Sequence, residues 1–116
     1  MHSIDEMKPS FEQVTSVTDS KEFIENFCHK TLKLLDEFKR EYRKAISGQR
    51  ISDLDSITHK ISSTMKWLEL DGFISLIKSY NDVKISDKIA LEQILNEVME
   101  QSNRIEDSIH AKLNEL

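Results

Sequence analysis

The residue in this chain best suited to chemistry is His59, within the run LDSITHKISSTMKWLEL over residues 54–70. A free imidazole titrates near about 6.5, so around neutral pH it is mostly uncharged and one ring nitrogen offers a lone pair. Such a nitrogen is a nucleophile without help from a base. Spacing decides where it points. Leu54, Ile57, Ile61, Met65 and Leu68 fall within about 80° of a helical wheel, so the run is read as an amphipathic helix with that stripe in the core. His59 lies roughly 160° from the centre of the stripe and is expected to face water. Asp55, Ser56, Ser62 and Ser63 stand about one turn away on the same outer face, with Ser52 and Lys66 about two turns away. The nearest of these side chains are short, so a bulky partner can reach the ring, and Lys66 offers charge to an anion placed there. Phosphoryl transfer asks chiefly for in-line placement and charge neutralisation, which a partner can supply, so a protein that offers only a nucleophile suffices.

Other chemistries have less to stand on. A triad of Ser56, His59 and Asp55 would emerge from one helix surface with no cleft and no oxyanion donors around it. Metal sites in helical bundles use inward-facing Glu and Glu-x-x-His pairs, and the chain contains no such motif. His2, His29 and His110 have no partners at ligand spacing and are read as surface or helix-edge residues, so no metal is expected. The two glycines, Gly48 and Gly72, cannot compose a phosphate-cradling loop, so autonomous kinase activity is not expected. The single Cys28 lies on an apolar helix face and reads as an inert core thiol in a reducing compartment. A net charge of −5 argues against nucleic-acid binding, and the densest basic run, residues 39–44, is interrupted by Glu41. No hydrophobic run approaches membrane-spanning length and the opening MHSIDEMK lacks the apolar block of a secretory signal, so a cytoplasmic protein with no membrane partner is expected.

The elements that must position His59 follow from composition and period. With 32% charged residues, two glycines and one proline, long helices are favoured over a sheet. The chain is read as one domain over residues 1–116, with a flap over 1–19 and a bundle over 20–114. Pro9 and Ser10 open a short helix over residues 11–17. Asp19 is expected to cap a long helix, with Glu22 completing a capping box, and Gly48 to end it near Ile46. Its apolar set is Phe23, Ile24, Phe27, Cys28, Leu34, Leu35, Phe38, Tyr42 and Ile46. Ser52 is expected to cap the His59 helix, which runs to about Glu69, and Asp71 a shorter helix ending near Asn81. Ser86 and Asp87 start the last helix, whose stripe is Leu91, Ile94, Leu95, Val98, Ile105, Ile109 and Leu113. Short joints make neighbours antiparallel, so the expected fold is all-α: an up-down-up-down four-helix bundle with a short additional N-terminal helix. An acidic bundle with a complete core of its own is expected to be a monomer.

The run His59, Lys60, Ile61, Ser62, Ser63, Thr64, followed by Leu68 and Leu70, resembles the signature of histidine-containing phosphotransfer domains. The order of helix lengths is also similar to that family's, so the resemblance covers the whole chain, although six or seven residues carry it. The resemblance implies a relay of phosphoryl groups between aspartates of receiver domains, in a response regulator or a hybrid sensor kinase. His59 would be the acceptor and Ile61 the core residue behind it. No cofactor would be held by this chain, the Mg2+ belonging to the receiver. Ser62 stands where the family usually has lysine and Ser63 where it usually has glycine. The missing charge is assigned to Lys66, with Lys60 on the flank and less well aimed, and Ser62 and Ser63 are expected to line the phosphate. Asp55, Ser56 and Trp67 are expected to form the docking surface. Trp67 falls roughly 120° from the stripe's centre, at the edge of the core. The rival reading, from another class, is a helical adaptor that binds through Trp67 and neighbouring apolar residues while the exposed histidine is incidental.

Overall fold

Apolar residues recurring by threes and fours fold here into helices. A computed structural model describes residues 8–116, so His2 and the first part of the expected flap lie outside the described residues. Helix α1 spans Glu12–Val17, α2 Lys21–Ser47, α3 Ile51–Trp67, α4 Asp71–Ile77 and α5 Lys88–Glu115; a 3-10 turn, Ser79–Asp82, follows α4. No strand occurs among the described residues. The long dimension, in extents of 47 × 24 × 21 Å, is set by α5, about 42 Å of helix at the usual rise.

Helix starts differ from expectation in an instructive way. Ser20, not Asp19, caps α2: its Oγ accepts from the Phe23 amide at 3.2 Å, while the Thr18 hydroxyl takes the Ser20 amide at 3.0 Å and turns the chain one residue later. Glu22 is then one position early for a capping box. α3 starts at Ile51 with no side-chain cap, and Ser52 lies inside its first turn. The cause is the end of α2. There the Arg50 amide donates to the Ala45 carbonyl at 2.9 Å and the Gln49 amide to Ile46 at 3.1 Å, a Schellman turn so tight that the chain re-enters a helix at once. The left-handed residue in that turn is Gln49, at φ 53, while Gly48 stays right-handed at φ −87. α3 ends in the same way, with Leu70 donating to Met65 and Glu69 to Lys66, both at 3.0 Å, and Glu69 at φ 57. α3 therefore stops at Trp67, and Asp71 sits in the first turn of α4, where a carboxylate suits the helix dipole, instead of capping it. Asp87 does cap α5, accepting from the Ala90 amide at 3.0 Å.

The two tight turns reverse the chain, so α2 and α3 run antiparallel, as do α3 and α4. α2 packs on α3 and α5, and α4 packs on the same two helices. The interior is apolar, with Leu35, Tyr42, Leu54, Met65, Phe73, Ile77, Val98 and Ile105 fully buried. Thr31, Thr58, Ser62 and Ser102 are buried as well, which hydropathy alone does not anticipate. Their hydroxyls donate to carbonyls of their own helices, Thr31 to Phe27 at 2.8 Å, Thr58 to Asp55 at 3.2 Å, Ser62 to Thr58 at 2.6 Å and Ser102 to Val98 at 2.7 Å. A polar group satisfied locally can sit at a helix seam without cost in unpaired hydrogen bonds. Between helices, the Tyr42 hydroxyl donates to the Ile77 carbonyl at 2.9 Å and Lys39 of α2 pairs with Glu106 of α5. α1 lies over the end of α3: Val14 is buried, and the Ser10 amide donates to the Leu68 carbonyl at 2.9 Å. Among the described residues no helix is long and apolar enough to cross a membrane.

Candidate functional site

His59 occupies the midpoint of α3 and is exposed. Ile61 is buried behind it. The wheel put the imidazole at the crest of the helix, but the buried arc of α3 includes Thr58 and Ser62 and is centred elsewhere. Measured from that arc, His59 stands about 120° away, on the flank toward α4. Ser62 is thus corrected: at 8% exposure it belongs to the seam with its hydroxyl committed to the Thr58 carbonyl, so it is not one of the outward serines around the ring.

The residues that do share the open face with His59 are Asp55, Ser56 and Ser63, with Ser52 and Lys66 further along. Lys66 is exposed, and no carboxylate among the described residues pairs with it. Lys60 is aimed the other way. Its ammonium lies 3.9 Å from Glu37 of α2, across the opposite flank, where Leu34, Phe38, Ile57 and Ile61 line a small apolar groove. The structure therefore brings Ser63 and Lys66 onto the same face as His59 and separates Lys60 and Ser62 from it.

Asp55, one turn before His59, receives a hydrogen bond from the Tyr80 hydroxyl. Burial, followed by this bond to a carboxylate, pushes the Tyr80 phenol above its ordinary value. Tyr80 is buried and comes from the 3-10 turn after α4, so it fixes that segment against the start of α3. Hydropathy gives no sign of this role; only a tyrosine's need for a hydroxyl partner points to it.

Trp67, at the edge of the core as its phase implied, is 44% exposed. With Val14, Val17, Phe23 and Phe27 it lines an apolar groove of about 250 Å³ where α1, the start of α2 and the end of α3 meet. Val17 and Phe23 are exposed too, so Phe23 is not the core residue its spacing suggested. Cys28 is buried; burial pushes its thiol up, with the charge of Lys112 opposing. His29 and His110 are exposed, and no group of His, Cys, Asp and Glu suited to a metal ion occurs among the described residues. Comparison with protein-family models, with curated proteins and with solved structures finds no match to this chain.

Proposed function

We propose that this chain is a histidine phosphotransfer module, a cytoplasmic, monomeric four-helix bundle that accepts a phosphoryl group on His59 from one receiver aspartate and passes it to another. The observation that carries this reading is the exposed imidazole at the midpoint of α3, bordered by short side chains. In the forward step one ring nitrogen brings its lone pair to phosphorus as the bond from phosphorus to the aspartyl oxygen breaks. The carboxylate leaves with that electron pair, and the other ring nitrogen keeps its proton. The return step reverses these bonds. Such a transition state is met by positioning and charge, and the receiver brings its acidic pocket and Mg2+, so the chain needs no nucleotide site and is not an autonomous enzyme. Ser56, Ser63 and Asp55 border the approach of the receiver.

The test is to mix the protein with a phosphorylated receiver and follow acid-labile, base-stable label. His59→Gln is expected to abolish the label while shifting stability by less than about 0.5 kcal/mol, as surface changes do. Label that survives in His59→Gln, or its absence from the native chain with every receiver tried, overturns the assignment. The groove beside Trp67 favours a second reading, a helical adaptor that binds a partner through Val17, Phe23 and Trp67. In that case Trp67→Ala weakens the partner complex and His59→Gln leaves it intact.

A further inference from the structure

The phosphotransfer reading leaves one need unmet. A phosphoryl group on His59 carries negative charge, Ser62 is buried, Lys60 is engaged with Glu37, and Lys66 is about two helical turns away, roughly 10 Å along the axis. We infer that Lys78, the residue that closes α4 and reaches across the α3–α4 seam, is the cation that holds the phosphoryl group on His59.

Level comes first. Residues 68–70 reverse the chain so tightly that Trp67 and Asp71 start abreast. From there His59 lies about 12 Å back along α3 and Lys78 about 10 Å forward along α4, so the two are nearly level. The Tyr80 to Asp55 bond, beyond them toward the start of α3, confirms that the two segments stay side by side over this stretch.

Direction comes second. On α3 the flank reached by rotating forward from the buried arc meets α4, because Asp55 lies there; the backward flank meets α2, because Lys60 pairs with Glu37. On α2, which runs the opposite way, the sense is reversed: the backward flank carries Glu37 toward α3, and the forward flank carries Lys39 toward Glu106 of α5. α4 runs in the same direction as α2, so its forward flank faces α3. Lys78 stands about 120° forward of the buried arc of α4, and His59 about 120° forward of that of α3. The two residues thus border the same seam from either side, at its outer lip. Lys78 is exposed, and no carboxylate among the described residues pairs with it. Helix axes packed at about 8–10 Å leave a gap that an imidazole and a four-carbon lysine stem together span around a phosphate.

This inference rests on the phosphotransfer reading, and its test separates the two. Phosphoramidate replaces the receiver as donor: its phosphorus–nitrogen bond breaks as the bond to His59 forms, and ammonia leaves. Labelling rate and phosphohistidine lifetime are measured by phosphorus NMR for the native chain, Lys78→Ala, Lys78→Arg and Lys66→Ala, with circular dichroism as the check on folding. Lys78→Ala is expected to label more slowly and lose the group sooner, each by about two- to fivefold, the range an exposed ion pair supplies. Lys78→Arg keeps most of the native behaviour, and Lys66→Ala changes it less than Lys78→Ala does. Equal rates and lifetimes in Lys78→Ala and the native chain, with His59 labelled in both, overturn the role of Lys78 and leave the phosphotransfer reading standing. Dependence on Lys78 without transfer from any receiver overturns the phosphotransfer reading and leaves the cation in place. Failure of His59 to label at all overturns both.

Discussion

The two flanks of α3 have been solved differently. Toward α2 the side chains are long: Ile57 and Lys60 reach across, and the Lys60 ammonium meets Glu37 over an apolar groove. Toward α4 they are short, and Thr58 and Ser62 spend their hydroxyls on the backbone of their own helix. The first flank is closed by reach. The second is closed by proximity, because small, self-satisfied residues let the neighbouring segment come near, while Tyr80 fastens one end through Asp55. His59 stands open, with the short Asp55, Ser56 and Ser63 one turn away on its own helix.

The contrast can be strained in several ways. The largest effect is expected where both flanks share a support: Ile61→Ala opens a cavity behind His59 and costs about 2–4 kcal/mol in denaturant unfolding. A cost under 1 kcal/mol would mean that the interior at this level collapses freely. Next comes a matched pair. Ser62→Leu overfills the α4 seam and is expected to cost about 1–3 kcal/mol, whereas Lys60→Leu on the α2 flank shifts stability by less than about 0.5 kcal/mol. Equal costs from the two would erase the distinction between the flanks.

Tyr80→Phe removes the fastening to Asp55 and is expected to cost about 1–2 kcal/mol near neutral pH. Its pH dependence has a definite sign. The folded phenol titrates above its unfolded value, so its neutral form contributes stability that is complete below about pH 10 and is lost as pH rises through the higher folded value. Alkaline loss of stability should therefore be smaller in Tyr80→Phe than in the native chain; an identical alkaline limb would remove Tyr80 as its source. The smallest effect concerns the turn that lays α4 on this flank. Glu69 holds a left-handed conformation at φ 57, so Glu69→Gly is expected to stabilise by about 0.5–1 kcal/mol, seen as a raised melting temperature.

Element types were legible in the sequence because the apolar residues keep helical period along α2, α3 and α5. Cap positions were less so. Asp19 and Ser20 are chemically interchangeable as caps, and α3 starts after Arg50 with no side-chain cap, so the choice is made by turns such as the one that pins Arg50 to Ala45. The exposure of His59 was read correctly from phase, but its flank was not. Thr58 and Ser62 count as polar on any hydropathy scale, and their burial depends on bonds to their own helix. Nor does local pattern reveal a bond between residues as far apart in the chain as Tyr80 and Asp55.

Cys28, sealed within the N-terminal half of α2, is the chain's one thiol. A thiol reagent meets it only during an opening event, so its modification rate in the folded protein is a gauge of how often that half of the helix lifts away. Because the gauge is far along the sequence from position 59 and needs no inserted label, it can be read while a partner is bound, reporting whether engagement at one helix is felt at another.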